Sequence, residues 1–303
     1  MCNALRSRSA LRLGILVRPM KDASSEPASA NAARTRAMVV PREHGAWGLL
    51  LVPLFTGAAV GIATDHRIWP VVLFTLAALT LFWLRTPVES LLGTTPLKAQ
   101  TPAERKSVFM AALALAAVSA GCLAGLLWRG HNPGLLLLGG VAALAFAVQA
   151  LLKKLSRKAR TAAQLVGAIG LTCTAPAAYY LASGRMERRG FVLWAANWIF
   201  ASDQIHFVQL RIHSARAAAF REKWAVGWAF FLIQIALLPI LTVAWLWHFI
   251  PVLVIPAFVP VLLRGTYWFF RGPESLQIRS LGWSEMKQGI LFGILLAAAF
   301  ILS

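Results

Sequence analysis

The sequence predicts an all-α polytopic membrane bundle of about nine transmembrane helices, and three observations carry that expectation. Hydrophobic residues make up 58% of the 303-residue chain and charged residues only 14%, about half the charged share of a soluble globular domain. The apolar residues gather into long runs separated by short basic segments. When those segments are assigned alternately to the two membrane faces, 25 of the 30 Lys and Arg fall on one face and five on the other, the asymmetry that the positive-inside rule expects.

The runs are justified in order. Spans are predicted over residues 45–64, 69–84, 107–128, 135–152, 161–182 and 191–210, the last containing Asp203. Residues 224–263 contain no Lys, Arg, Asp or Glu, and that is too long for one crossing at about 20 residues per span. His248 and Pro251 divide the stretch into spans at 224–247 and 250–263, and a ninth span covers 288–302. Together residues 41–303 form one transmembrane domain. The charge asymmetry places its amino end in the cytoplasm and its carboxyl end outside. Gly57-xxx-Gly61 and Gly121-xxx-Gly125 each offer a seam for close helix approach.

Residues 1–40 read differently. They are basic and rich in Ser and Ala, without apolar periodicity, which predicts a disordered tail. Met38 is an alternative translation start.

Several function classes are excluded. The net charge of +19 would indicate nucleic acid in a soluble protein, but here the bases lie between apolar segments and serve orientation. The three cysteines, Cys2, Cys122 and Cys173, are too dispersed for a disulfide framework or a zinc site. No phosphate-binding Gly-rich loop, nucleophile elbow or HExxH zinc motif is present.

Three polar clusters remain, all at the predicted cytoplasmic side. Ionisable groups inside spans are costly and mark functional sites by default. Asp203 is the clearest; His206 and His213 share its helical stripe, and Gln204, Gln209 and Arg211 extend the polar mouth. The structural alternative is an Asp203 pair with His206 or with an Arg on a neighbouring helix. The second cluster is Pro41-Arg42-Glu43-His44-Gly45-Ala46-Trp47, opening the first span. The third is Arg85-Thr86-Pro87-Val88-Glu89, where Glu89 fits either a capping box or a ligand-facing role, whereas Thr101-Pro102-Ala103-Glu104 reads as a cap.

The segment from Pro41 to Pro53, PREHGAWGLLLVP, resembles the amino-terminal signature of the YwiC-like family of bacterial membrane proteins, and Arg85-Thr-Pro-Val-Glu-Ser and the 203–211 stretch fit the same resemblance. Nine spans with polar segments after spans two and six are also similar to the UbiA prenyltransferase superfamily, although the Asp-rich repeats of that superfamily are missing. That second resemblance implies a transferase acting on an isoprenoid or lipid diphosphate in a cytoplasmic-side cavity. In it, Glu89 and Asp203 would hold Mg²⁺, and Arg42, Arg85, Arg105 and Arg211 would neutralise the diphosphate. His44 or His206 would take the acceptor's proton, with Glu43 and Gln209 completing the substrate contacts. The rival expectation is a non-catalytic transporter, flippase or scaffold for an amphipathic anion. Membrane lipids are partners in either case; nucleic acid is not. The carboxylates discriminate: sharing one cavity favours catalysis, and separate neutralisation by cap or Arg favours the carrier or scaffold.

Overall fold

The computed structural model describes residues 26–40, 44–93, 97–128, 130, 132–155, 159–214, 219–272 and 276–303. Its regular elements are helices throughout: α1 Glu26–Val39, α2 His44–Asp65, α3 Ile68–Leu92, α4 Pro102–Trp128, α5 Asn132–Leu155, α6 Arg160–Thr172, α7 Thr174–Ser183, α8 Arg188–His213, α9 Phe220–Leu246, α10 Val254–Phe270 and α11 Ile278–Ile301. Seven described segments are long and apolar enough to cross a membrane, α6 and α7 counting together as one. With α8 and the shorter α10, the nine expected segments are each found as helix.

The bundle is organised around α7, all ten residues of which are buried. α2 lies along it, and α3 and α8 pack on it as well. Small residues make this possible. A Cβ on Gly57 would sit 2.0 Å from the Ala175 carbonyl oxygen, and one on Gly61 would sit 2.7 Å from the Ala182 Cβ. Val52, Val60, Tyr179, Leu193, Phe200, Phe258, Phe292 and Leu296 form the main apolar core, with Phe200 and Phe292 stacked at 4.0 Å. Outward, α4 and α5 expose Phe109, Leu113, Leu136, Leu137 and Leu144, the inverted surface of a protein solvated by lipid.

The helix ends follow local chemistry. The Thr101–Glu104 capping box forms as read: the Glu104 amide donates to Thr101 Oγ1 at 3.1 Å, and the Thr101 amide donates to Glu104 Oε2 at 3.2 Å. α7 ends in the left-handed conformation at Gly184, φ 71°, a conformation that glycine adopts without strain. The α9–α10 corner lies at His248 and Pro251, as the sequence indicates.

Three expectations are corrected. The sequence predicts a disordered tail over residues 1–40; 1–25 lie outside the described residues, but Glu26–Val39 forms α1. That helix packs against α3 and α4, buries Met38, and is tied down by Arg34 Nε donating to Glu104 Oε1 at 2.9 Å and Trp83 Nε1 donating to Val39 O at 2.7 Å. Its Ala-rich composition, low in apparent complexity, is also the best helix-forming composition. Next, Thr86 starts no helix: α3 runs unbroken through Pro87 to Leu92, so the second span continues past residue 84. The third correction concerns Gly121 and Gly125. A Cβ at Gly121 would meet nothing within 4 Å, and one at Gly125 only the Leu73 side chain at 3.9 Å, so this pair forms no seam.

Candidate functional site: a charged cluster inside the bundle

α8 has the apolar spacing of a span except at Asp203, a residue the sequence places inside a membrane helix without an evident partner. The fold supplies one from two other helices. Arg264 on α10 reaches Asp203 with Nη2 donating to Oδ2 at 3.0 Å, and its Nη1 donates to Oε2 of Glu285 on α11. Gln234 on α9 donates from Nε2 to the other Asp203 oxygen, Oδ1. Gln204, next to Asp203, donates from Nε2 to the Glu285 backbone carbonyl at 2.8 Å. One arginine is thus gripped by two carboxylates, and four helices, α8 to α11, meet at it.

The cluster is dry. Side-chain exposure is 11% for Arg264, 6% for Asp203 and 7% for Glu285. The guanidinium lies over the Phe207 ring, 4.2 Å from its centroid, a cation–π contact of about 0.5–2 kcal/mol. Phe207 in turn packs with Phe230, Trp268 and Phe269. An isolated charge at a helix centre costs on the order of 2.5–3.5 kcal/mol, so each member is tolerated because the others are present. Several buried polar atoms here remain without a hydrogen-bond partner: Arg264 Nε, Glu285 Oε1, Gln234 Oε1 and Gln288 Oε1.

The cluster lies toward one end of the bundle, near where the sequence places Asp203: six residues of α10 follow Arg264 and seven of α11 precede Glu285. Ten residues of α8 follow Asp203 and fifteen precede it, so it sits about 15 Å from one end of the helix and about 22 Å from the other at 1.5 Å per residue. Near the cluster, a second buried cation stitches α9 to α10. Lys223 Nζ donates to the Trp268 carbonyl at 3.0 Å and to the Arg271 carbonyl, satisfying the end of α10, where carbonyls lack intrahelical donors.

The other sequence-predicted residues take separate places. Glu89 accepts from Arg85 Nε at 2.9 Å along the same helix, with each side chain about one-third exposed. His206 Nδ1 bonds the Ser202 carbonyl at 3.0 Å, and His213 Nδ1 the Gln209 carbonyl at 2.7 Å, both on α8 itself. Gln209 donates from Nε2 to Gln164 Oε1 on α6 at 3.1 Å. Arg211 lies close enough for its charge to act on Glu285. Arg105 is exposed in the first turn of α4. Arg42 and Glu43 lie outside the described residues, as does the side chain of His44, whose backbone opens α2. Glu89 and Asp203 are therefore answered by different arginines on different helices. Among the described residues, no three His, Cys, Asp or Glu side chains converge to hold a metal ion.

Sequence reasoning missed Arg264, Gln234 and Glu285. Arg264 directly follows the eighth predicted span, 250–263, and Glu285 falls just before the ninth, 288–302. The usable signal was Gln234, a lone amide in a charge-free stretch of 40 residues.

At the other end of α8 a pocket of about 270 Å³ opens between α8, the α9–α10 corner and the end of α11. Arg188, Arg189 and His248 line it together with Trp245, Phe249 and Phe300. Arg188 Nη2 donates to the His248 carbonyl at 3.0 Å and its guanidinium lies 5.7 Å from the Phe249 ring. His248 has φ 57°, a strained conformation for a non-glycine residue, of the kind that clusters at ligand clamps and switch regions.

The fold and the cluster define a polytopic helical membrane protein with an ion-paired interior. Residues 40–179 of the chain match the family described as YwiC-like protein. No curated protein and no solved structure matches it.

Proposed function

We propose that this protein is a membrane carrier for an amphipathic anion, rather than a UbiA-like transferase. One observation carries the reading: Glu89 and Asp203, the two carboxylates that a Mg²⁺–diphosphate site would share, are neutralised separately, by Arg85 and by Arg264. A carboxylate whose charge is already neutralised by an adjacent Arg attracts a metal cation less strongly. Buried charges within a span otherwise mark solute or ion pathways. The pocket at the far end of α8 supports an anionic, partly apolar solute, since it sets two Arg and a His against Trp and Phe side chains. Three of the four helices of the charged cluster, α8, α9 and α11, also contribute to the pocket. The reading includes a bacterial cytoplasmic membrane, with the amino end inside and the carboxyl end outside, supported by the 25-to-5 distribution of bases.

The test is binding of farnesyl diphosphate, as the probe anion, to detergent-solubilised protein with and without Mg²⁺, followed by its uptake into proteoliposomes. Binding indifferent to Mg²⁺ and retained by Glu89→Gln is expected. Arg188→Gln combined with Arg189→Gln should weaken it about tenfold or more, the effect of losing roughly 1.4 kcal/mol. Mg²⁺-dependent binding abolished by both Glu89→Gln and Asp203→Asn would overturn the carrier and make these residues the metal ligands of a transferase.

A further inference from the structure

The interior cluster has a donor deficit. Asp203 is fully engaged, with Gln234 Nε2 on one oxygen and Arg264 Nη2 on the other. Glu285 is engaged on one oxygen only; its Oε2 accepts from Arg264, and its Oε1 has no partner although the residue is 6% exposed. Gln234, 3% exposed, turns its amide onto Asp203 and leaves its Oε1 without a donor, and Gln288 Oε1, one turn from Glu285 on α11, is likewise buried and unanswered. Among the described residues of this cluster three acceptor oxygens thus lack donors, against two buried donors without partners, Arg264 Nε and the hydroxyl of Ser202, the neighbour of Asp203 in the chain. Negative charge is also in excess around Arg264, since two carboxylates touch it.

We infer that Glu285 holds an exchangeable proton on Oε1, so that the bundle contains a protonation site inside its spans. A proton there corrects both imbalances in one step. It removes one negative charge from a dry pocket, where an uncompensated charge is costly, and it converts an unanswered acceptor into a donor, as a protonated carboxyl is. Asp203 is the wrong holder, because both its oxygens already accept bonds. The step is simple addition of H⁺ to a carboxylate, with no change of oxidation state. Among the described residues, the charged groups that act on Glu285 are Arg264 from α10 and Asp203 and Arg211 from α8, while α9 contributes the neutral Gln234 to the cluster. α2 brings Val52 and Thr56 against Gly289 and Gly293 of α11. Arg211 adds positive charge at a distance, yet Oε1 still accepts no bond. If the protein is the carrier proposed above, this proton is the natural coupling ion, but the site itself does not depend on that reading.

The experiment is infrared difference spectroscopy of the full chain in lipid at neutral pH, in H₂O and D₂O, reading the C=O stretch of a protonated carboxylic acid. The wild type should show this band with a D₂O shift. Glu285→Gln should lose it because the acid is gone. Asp203→Asn should also lose it, because one carboxylate against one Arg needs no proton. Thermal unfolding of both variants checks that the bundle is intact. No band in the wild type, or a band that survives in a folded Glu285→Gln protein, would overturn the inference. The band is read without any solute, so a failed uptake assay leaves it standing.

Discussion

Arg264 is the residue on which the interior depends most. Deleting one partner of a buried ion pair leaves an uncompensated charge and costs about 3–5 kcal/mol, and here the loss of Arg264 would strand the Asp203 carboxylate and take the donor from Glu285 as well. Arg264→Met should therefore lower the stability of the detergent-solubilised protein by at least about 3 kcal/mol, read from chemical or thermal unfolding. Arg85→Gln breaks the Arg85–Glu89 pair on α3, which is one-third exposed, and exposed i,i+4 pairs contribute about 0.3–0.5 kcal/mol; it should change stability by less than about 1 kcal/mol. Equal effects from the two substitutions would show that the cluster does not organise the bundle. Asp203 was legible in the sequence because it stands alone in an apolar run. Arg264 and Glu285 were not, because hydropathy treats a charge as the end of a span, and only the folded structure shows two span-ending charges cancelling each other within it.

At the scale of helices, two identical motifs have opposite fates. Gly57 and Gly61 face α7 at backbone distance, whereas Gly121 faces open space. Periodicity identifies which residues share a face but not whether a partner covers that face. A Cβ at residue 57 would lie 2.0 Å from a carbonyl oxygen of the most buried helix, and overpacking of that kind typically costs about 1–3 kcal/mol. Gly57→Ala is expected to cost at least that much, and Gly121→Ala to stay within about 0.5 kcal/mol, as surface changes do. Melting temperatures of the two variants in the same detergent decide the matter; a tolerated Gly57→Ala would mean that α2 and α7 are not in close contact. The same reasoning explains the Thr86–Glu89 segment. Its cap-like spacing is real, but α3 continues through Pro87 and spends Glu89 on Arg85 instead.

For the whole molecule, the number of crossings decides where the ends lie. Among the described residues seven segments qualify by length and apolarity, while α8 contains Asp203 and α10 has only 17 residues. At 1.5 Å per residue, α8 is about 39 Å long and α10 about 26 Å, against a hydrocarbon core of about 30 Å. The Asp203–Arg264 pair joins these same two helices, so each neutralises the charge that would otherwise weigh against the other's insertion. With both helices crossing, as proposed, the count is nine, and an odd number puts the two ends on opposite sides of the membrane. Single cysteines introduced at Lys98, Arg185, His248 and Ser303 test this, in a background where Cys2, Cys122 and Cys173 are replaced by Ala. A membrane-impermeant thiol reagent added to intact cells should label residues 185, 248 and 303 but not 98, which should react only after the membrane is opened. Residue 248 separates the alternatives most sharply: it lies between α9 and α10, and labelling of 185 without 248 would mean that α8 does not cross and that the interior ion pair joins helices at the membrane surface.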